Sequence, residues 1–168
     1  MVPLVYHMDM MRRKDRQQDA EFARSVIRTA EYGVLSMVDQ DNTPYAIPVS
    51  PALVGDTIYI HGATEGKKLA VIENNSKVCL VCVGKTRLLP GEFSTEYEST
   101  IAYGTATIVE DDLEKTEALL AIARKYSPQF TDEAVAYIGR ALHQTEVVRI
   151  TVEEMTAKAK LPKNMPKP

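Results

Sequence analysis

Residues 62–68, Gly-Ala-Thr-Glu-Gly-Lys-Lys, hold the densest chemistry in the chain. Glycines at positions 62 and 66 open backbone angles closed to other residues. Lys67 and Lys68 then begin a helical pattern whose apolar positions are Leu69, Ala70, Val71 and Ile72. Such a loop suits a phosphate. Free backbone N–H groups and the helix dipole face the anion, and ammonium groups add charge. Glu65 sits where it would oppose an anion, and a solvated helix start is the plainer alternative. His61 stands immediately before the loop, at the end of Thr57-Ile58-Tyr59-Ile60, where a side chain can face a ligand. It is the candidate catalytic residue; a histidine satisfied by a backbone carbonyl is the structural alternative.

The other reactive side chains point elsewhere. Cys79 and Cys82 form a C-x-x-C inside the apolar run 78–83. In a strand, residues three apart face opposite sides and lie roughly 10 Å apart. That excludes a disulfide and a shared metal site, and predicts buried thiols acting as small apolar side chains. His7 and His143 are expected on the surface, and three scattered histidines make no metal centre. No G-x-G-x-x-G, Walker loop or H-E-x-x-H occurs, which leaves Rossmann, P-loop and zincin chemistry without support.

The elements that must position the loop follow from periodicity and punctuation. A helix is predicted over residues 19–30, with Phe22, Ala23, Val26, Ile27 and Ala30 along one face. Strands are predicted at 34–38, 45–54, 57–61, 78–83, 100–109 and 145–152. The polar turn at residues 39–42 makes the first two a hairpin. Pro44, Pro48 and Pro51 punctuate the second strand, so it is an edge, is bulged, or turns its backbone toward something other than a strand. Residues 85–98 read as a long polar connection, a kind often functional. Asp111 to Glu114 caps a helix carrying Leu113, Leu119, Leu120, Ala123 and Tyr126 until Ser127-Pro128 stops it. Another helix covers 132–142. Six strands and four helical pieces with hairpin-length links predict an antiparallel barrel with helices outside it, mainly β with α.

Several segments together carry a resemblance. They are residues 11–17 (MRRKDRQ), residues 44–50 (PYAIPVS), residues 58–63 (IYIHGA) with Gly66-Lys67-Lys68, and residues 95–99 (TEYES) followed by Gly104. In that order the chain resembles the FMN-binding split-barrel family that includes the pyridoxamine 5′-phosphate oxidases, and more closely its nitroimidazole-resistance branch. The resemblance implies a six-stranded antiparallel split β-barrel with flanking helices and bound FMN, with FAD or haem as alternatives. It implies that the strand at 46–51 lines the isoalloxazine, through Ile47, Pro48, Val49 and Ser50. His61 and Gly62 would lie near the ribityl chain, Lys67 and Lys68 on the phosphate, and Ser99 would make a polar cofactor contact. Arg12, Arg13, Lys14 and Arg16 would lie near the cofactor or a partner subunit; a solvated arm is the alternative. The oxidases carry arginine where Ala46 stands and lysine where Pro51 stands, and a C-terminal R-x-H absent here. Thr156-Ala157-Lys158 replaces the branch's Thr-Gly-Lys, where a tight turn is inferred.

At 168 residues, 45% hydrophobic and 26% charged, the chain fits one soluble domain at residues 15–160, with an arm at 1–14 and a mobile tail at 161–168. A net charge of −3 offers no footprint for nucleic acid or an anionic membrane. A cytoplasmic protein is expected, since no signal-peptide pattern or membrane-length apolar run is present. The expected function is FMN-dependent oxidoreduction of a small organic substrate by an external reductant, with nitroaromatics as one candidate class. A non-catalytic flavin- or haem-binding sensor is the alternative, with His61 as the axial haem ligand. A homodimer with the cofactor at its interface is expected, because the proline-interrupted strand leaves an unpaired apolar edge that a two-fold partner would cover.

Overall fold

In the computed structural model, which describes residues 11–162, one antiparallel sheet is built from eight strands. They are β1 (Gln17–Gln18), β2 (Gly33–Val38), β3 (Pro44–Val49), β4 (Ala52–Val54), β5 (Thr57–Gly62), β6 (Lys77–Leu89), β7 (Ser94–Ile108) and β8 (Glu146–Lys160). The described α-helices are α1 (Ala20–Thr29), α2 (Lys67–Asn74), α3 (Asp112–Tyr126) and α4 (Thr131–Ala141). Asp19 starts α1 by accepting the Phe22 N–H, and Asp111 starts α3 by accepting the Glu114 N–H. His7 and most of the expected arm and tail lie outside the described residues.

The strand order is β3-β2-β6-β7-β8-β5-β4, with β1 added beside β8. β3 and β4 are separated by Ser50 and Pro51 alone, yet stand at opposite ends of that order. The sheet must therefore curl until its two edges meet at this corner. No ladder joins them, so the barrel is split there. Pro51 has no N–H to contribute, and its carbonyl accepts from Lys125 Nζ at 2.7 Å and from the Tyr126 hydroxyl at 3.0 Å. Lys125 also donates to the Ile27 carbonyl at 2.7 Å, in the last turn of α1, where a cation suits the helix dipole. Lys125→Met is expected to take this donor from the Ile27 carbonyl, leave the Pro51 carbonyl with Tyr126 alone, and cost about 1–3 kcal/mol. Differential scanning calorimetry should find Tm lowered by ~2–4 °C per kcal/mol for a domain of this size; an unchanged Tm would mean the corner holds without the ammonium.

Four expectations change in detail. Eight strands replace six because Ser50-Pro51 divides the strand expected over 45–54, and because β1 is too short to show alternation. Residues 85–98 are not a connection: β6 and β7 continue as a paired hairpin in which Arg87 faces Glu96 and Leu89 faces Ser94. Its charged residues mask the strand pattern because both faces are solvated, and the Arg87–Glu96 ion pair at 2.7 Å bridges the strands. Strand β8 runs on to Lys160, so Thr156, Ala157 and Lys158 lie in a strand and form no turn. Leu113 is not a packing residue, being 69% exposed; Ala118, Leu119 and Ile122 make the buried face of α3.

The main core joins the barrel interior (Leu35, Ile58, Ile60, Leu80, Ile150) to α1 and α2. Cys82 belongs to it, and burial pushes that thiol up to about 11, so it stays protonated and apolar as expected. Gly104 sits where the β7–β8 register slips between Tyr103 and Gly104, and a Cβ there would overlap the Thr151 carbonyl oxygen.

Candidate functional site

The glycine loop delivers a helix start without a side-chain cap. Gly66, at φ 138°, is the N-cap of α2 and makes no side-chain cap bond. Lys67 and Lys68, which the sequence places together on one anion, diverge. Neighbours on a helix point ~100° apart, and each lysine finds a different partner. Lys67 Nζ lies 3.6 Å from the Asp39 carboxylate and 4.8 Å from the centre of the Tyr45 ring. Lys68 Nζ reaches back over Gly62 and donates to the His61 carbonyl at 3.3 Å. A Cβ on Gly62 would lie 2.5 Å from that ammonium, so glycine is what lets Lys68 fold back. Burial lowers the Lys68 pKa, which primes the ammonium to gain from a dianion.

His61 closes β5 opposite Val147, with its side chain exposed. Desolvation first, and the Lys68 charge second, hold its pKa below the 6.5 of a free imidazole. The ring is therefore neutral at pH 7, offering one N–H donor and one acceptor nitrogen. Because folding depresses this pKa, the associated stability is complete above pH 6.5 and is lost as pH falls through the folded value. An NMR titration of the His61 ring should show a midpoint below 6.5, moving upward in Lys68→Met. A midpoint indifferent to that substitution would place the ammonium elsewhere.

Strand β3 is an edge, paired with β2 alone, as its prolines require. Ile47 and Val49 pack against the core, whereas Ala46 and Pro48 face outward. Of the four residues expected to line a ring, Pro48 can do so with its side chain; Ile47 and Val49 can offer backbone alone. Next to Ser50 stands Tyr126, whose hydroxyl donates to the Pro51 carbonyl and whose pKa burial raises to about 12. Together Ser50 and His61 open onto a cavity of about 600 Å³ between the barrel corner and the α3–α4 hairpin.

Ser99 is not part of this group. It pairs with Lys158 on β8 and donates to that residue's carbonyl at 3.3 Å, while Gly62 pairs with Glu146 near the start of the same strand. At ~3.3 Å per residue the two positions are roughly 40 Å apart along β8. One chain thus brings together Ser50, His61, Gly62 and Lys68, with Lys67 turned aside and Ser99 at the far end.

A family profile described as pyridoxamine 5′-phosphate oxidase matches residues 19–159, from the cap of α1 almost to the end of β8. The chain belongs to the pyridoxamine 5′-phosphate oxidase family. Its fold is that family's split barrel with flanking helices. No curated protein matches the sequence. A Bacteroides thetaiotaomicron protein named for a proposed part in 5-nitroimidazole antibiotic resistance is 27% identical, with a TM-score of 0.69 over 84% of each chain. A flavocytochrome from Azotobacter vinelandii has a TM-score of 0.76 at 17% identity, covering 94% of this chain and 75% of that one. An FAD- and haem-binding protein from Mycobacterium smegmatis has a TM-score of 0.73 at 23% identity, covering 91% and 76%. The last two likenesses carry the fold alone.

Within the pyridoxamine 5′-phosphate oxidase family this chain lacks side-chain charge at Ala46 and Pro51. An ammonium is nevertheless bonded to the Pro51 backbone, from Lys125. Sequence reasoning missed Lys125, Glu133 and Tyr137, because each looks like an ordinary residue of an amphipathic helix. The one available signal was the Lys125-Tyr126-Ser127-Pro128 helix stop, which fixes where α3 meets the barrel corner. Among the described residues no metal-binding cluster occurs, and no helix is long and apolar enough to cross a membrane.

Proposed function

We propose that this protein binds FMN and carries out redox chemistry on a small organic molecule, as a homodimer with two cofactor sites at its interface. The observation that carries the reading is the uncapped start of α2 with Lys68 folded over Gly62, beside the open edge of β3. Family membership and the flavin- or haem-binding names of its neighbours support the same reading. The residues fit the group: a phosphate dianion finds backbone N–H groups, the helix dipole and a partly desolvated ammonium. Lys68 would exchange the His61 carbonyl for the phosphate. Lys67 contributes less while Asp39 holds it. The outward face of Ala46 and Pro48 supplies an apolar wall, and the unpaired β3 backbone supplies donors and acceptors for a polar ring edge. FMN, when bound, supplies the electron-transfer chemistry. The chain holds it, excludes water, and presents neutral His61 as a proton donor or acceptor beside the cavity.

The far placement of Ser99 supports the dimer. A two-fold partner would bring its own Ser99 to the cofactor and cover the β3 edge in the same contact. The purified protein, denatured and analysed by mass spectrometry, should release FMN, and NAD(P)H should bleach the bound flavin under anaerobic conditions, with colour returning on addition of a nitroaromatic or quinone. Flavin that no nicotinamide nucleotide reduces would leave a binding protein without catalysis. A Soret band lost in His61→Ala would replace FMN with haem. Protein that takes up neither cofactor would overturn the reading.

A further inference from the structure

The cavity beside Ser50 and His61 has a size and a lining of its own. At about 600 Å³ it falls within the ~300–1,000 Å³ usual for small-molecule sites. Ile122 and Ile138 are buried at its walls, and the rings of Tyr126, Phe130 and Tyr137 surround it. Phe130 and Tyr137 remain 55% and 65% exposed, an apolar rim of the kind that marks a binding surface. Its charge is one-sided. Among the described residues, no lysine or arginine lines the cavity, and Glu133 is its single carboxylate. His61 adds no positive charge at neutral pH. The Lys125 ammonium, 4.7 Å from the centre of the Tyr126 ring, is held by the Ile27 and Pro51 carbonyls, and Lys68 by the His61 carbonyl, so a ligand phosphate, sulfonate or carboxylate meets Glu133 as the one charge in the lining.

We propose that this cavity, between the barrel corner and the α3–α4 hairpin, is the substrate pocket, that it takes an uncharged planar aromatic ring, and that Glu133 excludes anions from it. The proposal rests on the flavin reading in one respect: Ser50 lines this cavity and directly follows β3, the strand assigned to the flavin ring, which puts a bound substrate next to it. The rings of Tyr126, Phe130 and Tyr137 offer faces on which an aromatic ligand can stack. Ser50, Ser127 and Thr145 offer hydroxyls that can orient a polar substituent. An anion held several ångströms from Glu133 at the protein surface costs about tenfold in affinity.

Two probes with the same ring decide it: 2-naphthol, neutral at pH 7, and naphthalene-2-sulfonate, an anion. Calorimetric titration of the purified full-length protein should give 2-naphthol at least about tenfold the affinity of the sulfonate. Glu133→Lys, at an exposed helix position that carries no packing, should erase or invert that preference. Ala134→Trp should fill the cavity and abolish 2-naphthol binding while flavin content stays unchanged. Equal binding of both probes, a preference that survives Glu133→Lys, or 2-naphthol binding that survives Ala134→Trp would overturn the proposal. Discrimination by protein that binds no flavin would keep the pocket and sink the flavin reading; flavin bound without discrimination would do the reverse.

Discussion

FMN should bind about 10- to 150-fold more weakly to Lys68→Ala than to the unchanged protein, while riboflavin binding should barely move. The difference between the two ligands is the phosphate, and the lost interaction is a charge-assisted hydrogen bond worth ~1.5–3 kcal/mol, each ~1.4 kcal/mol being tenfold. Lys67→Ala should cost only a few-fold, because that ammonium is already shared between Asp39 and the Tyr45 ring. Removing both lysines should cost little more than removing Lys68. Fluorescence titrations of apo-protein with FMN and with riboflavin give all these numbers. A similar loss for both ligands would mean that Lys68 acts through folding, and a larger loss at Lys67 would mean that the phosphate lies on the Asp39 side.

Gly104→Ala should be among the most destabilising single changes in the barrel. The clash is with the backbone of β8 at the slip in the β7–β8 register, so no flexible side chain can give way. Overpacking of this kind costs about 3 kcal/mol or more, which at ~2–4 °C per kcal/mol lowers Tm by roughly 6–12 °C or prevents folding. Gly139→Ala is the control. That glycine lies inside α4 with nothing within 4 Å of an added Cβ, so alanine should stabilise by about 0.5–1 kcal/mol. Chemical denaturation of the two variants side by side checks the contrast. A stable Gly104→Ala would mean that β8 shifts freely at Thr151.

How much the sequence disclosed depended on whether local chemistry or tertiary partners set the feature. Asp111 announced α3 because N-capping is local, and Gly66 marked the start of α2 for the same reason, while α1 was read from its apolar face. Pro48 and Pro51 disclosed the open edge, since a missing N–H is a property of the residue itself. The hairpin at 85–98 was hidden because neither face is buried, which removes the alternation that strands are read from. The divergence of Lys67 from Lys68 was equally hidden. It depends on Asp39, Tyr45 and the space above Gly62, and the folded chain alone brings these to the lysines. Ser99 is the sharpest case: its type and order matched the resembling family, but its distance from Gly62 along β8 appears only once the register of the long strands is known. The cavity between the barrel corner and α3–α4 was invisible for a different reason. Its lining is drawn from β5, α3, α4 and the segments that join them to their neighbours, and Glu133 has no sequence neighbour that marks it.

Sedimentation velocity of the purified holo-protein, recorded at the ~450 nm flavin band, reads flavin binding and subunit number in one experiment. The account predicts one yellow boundary at twice the 18.7 kDa chain mass. A colourless boundary that stays colourless after FMN is added would contradict flavin binding, and a yellow boundary at 18.7 kDa would contradict the shared site.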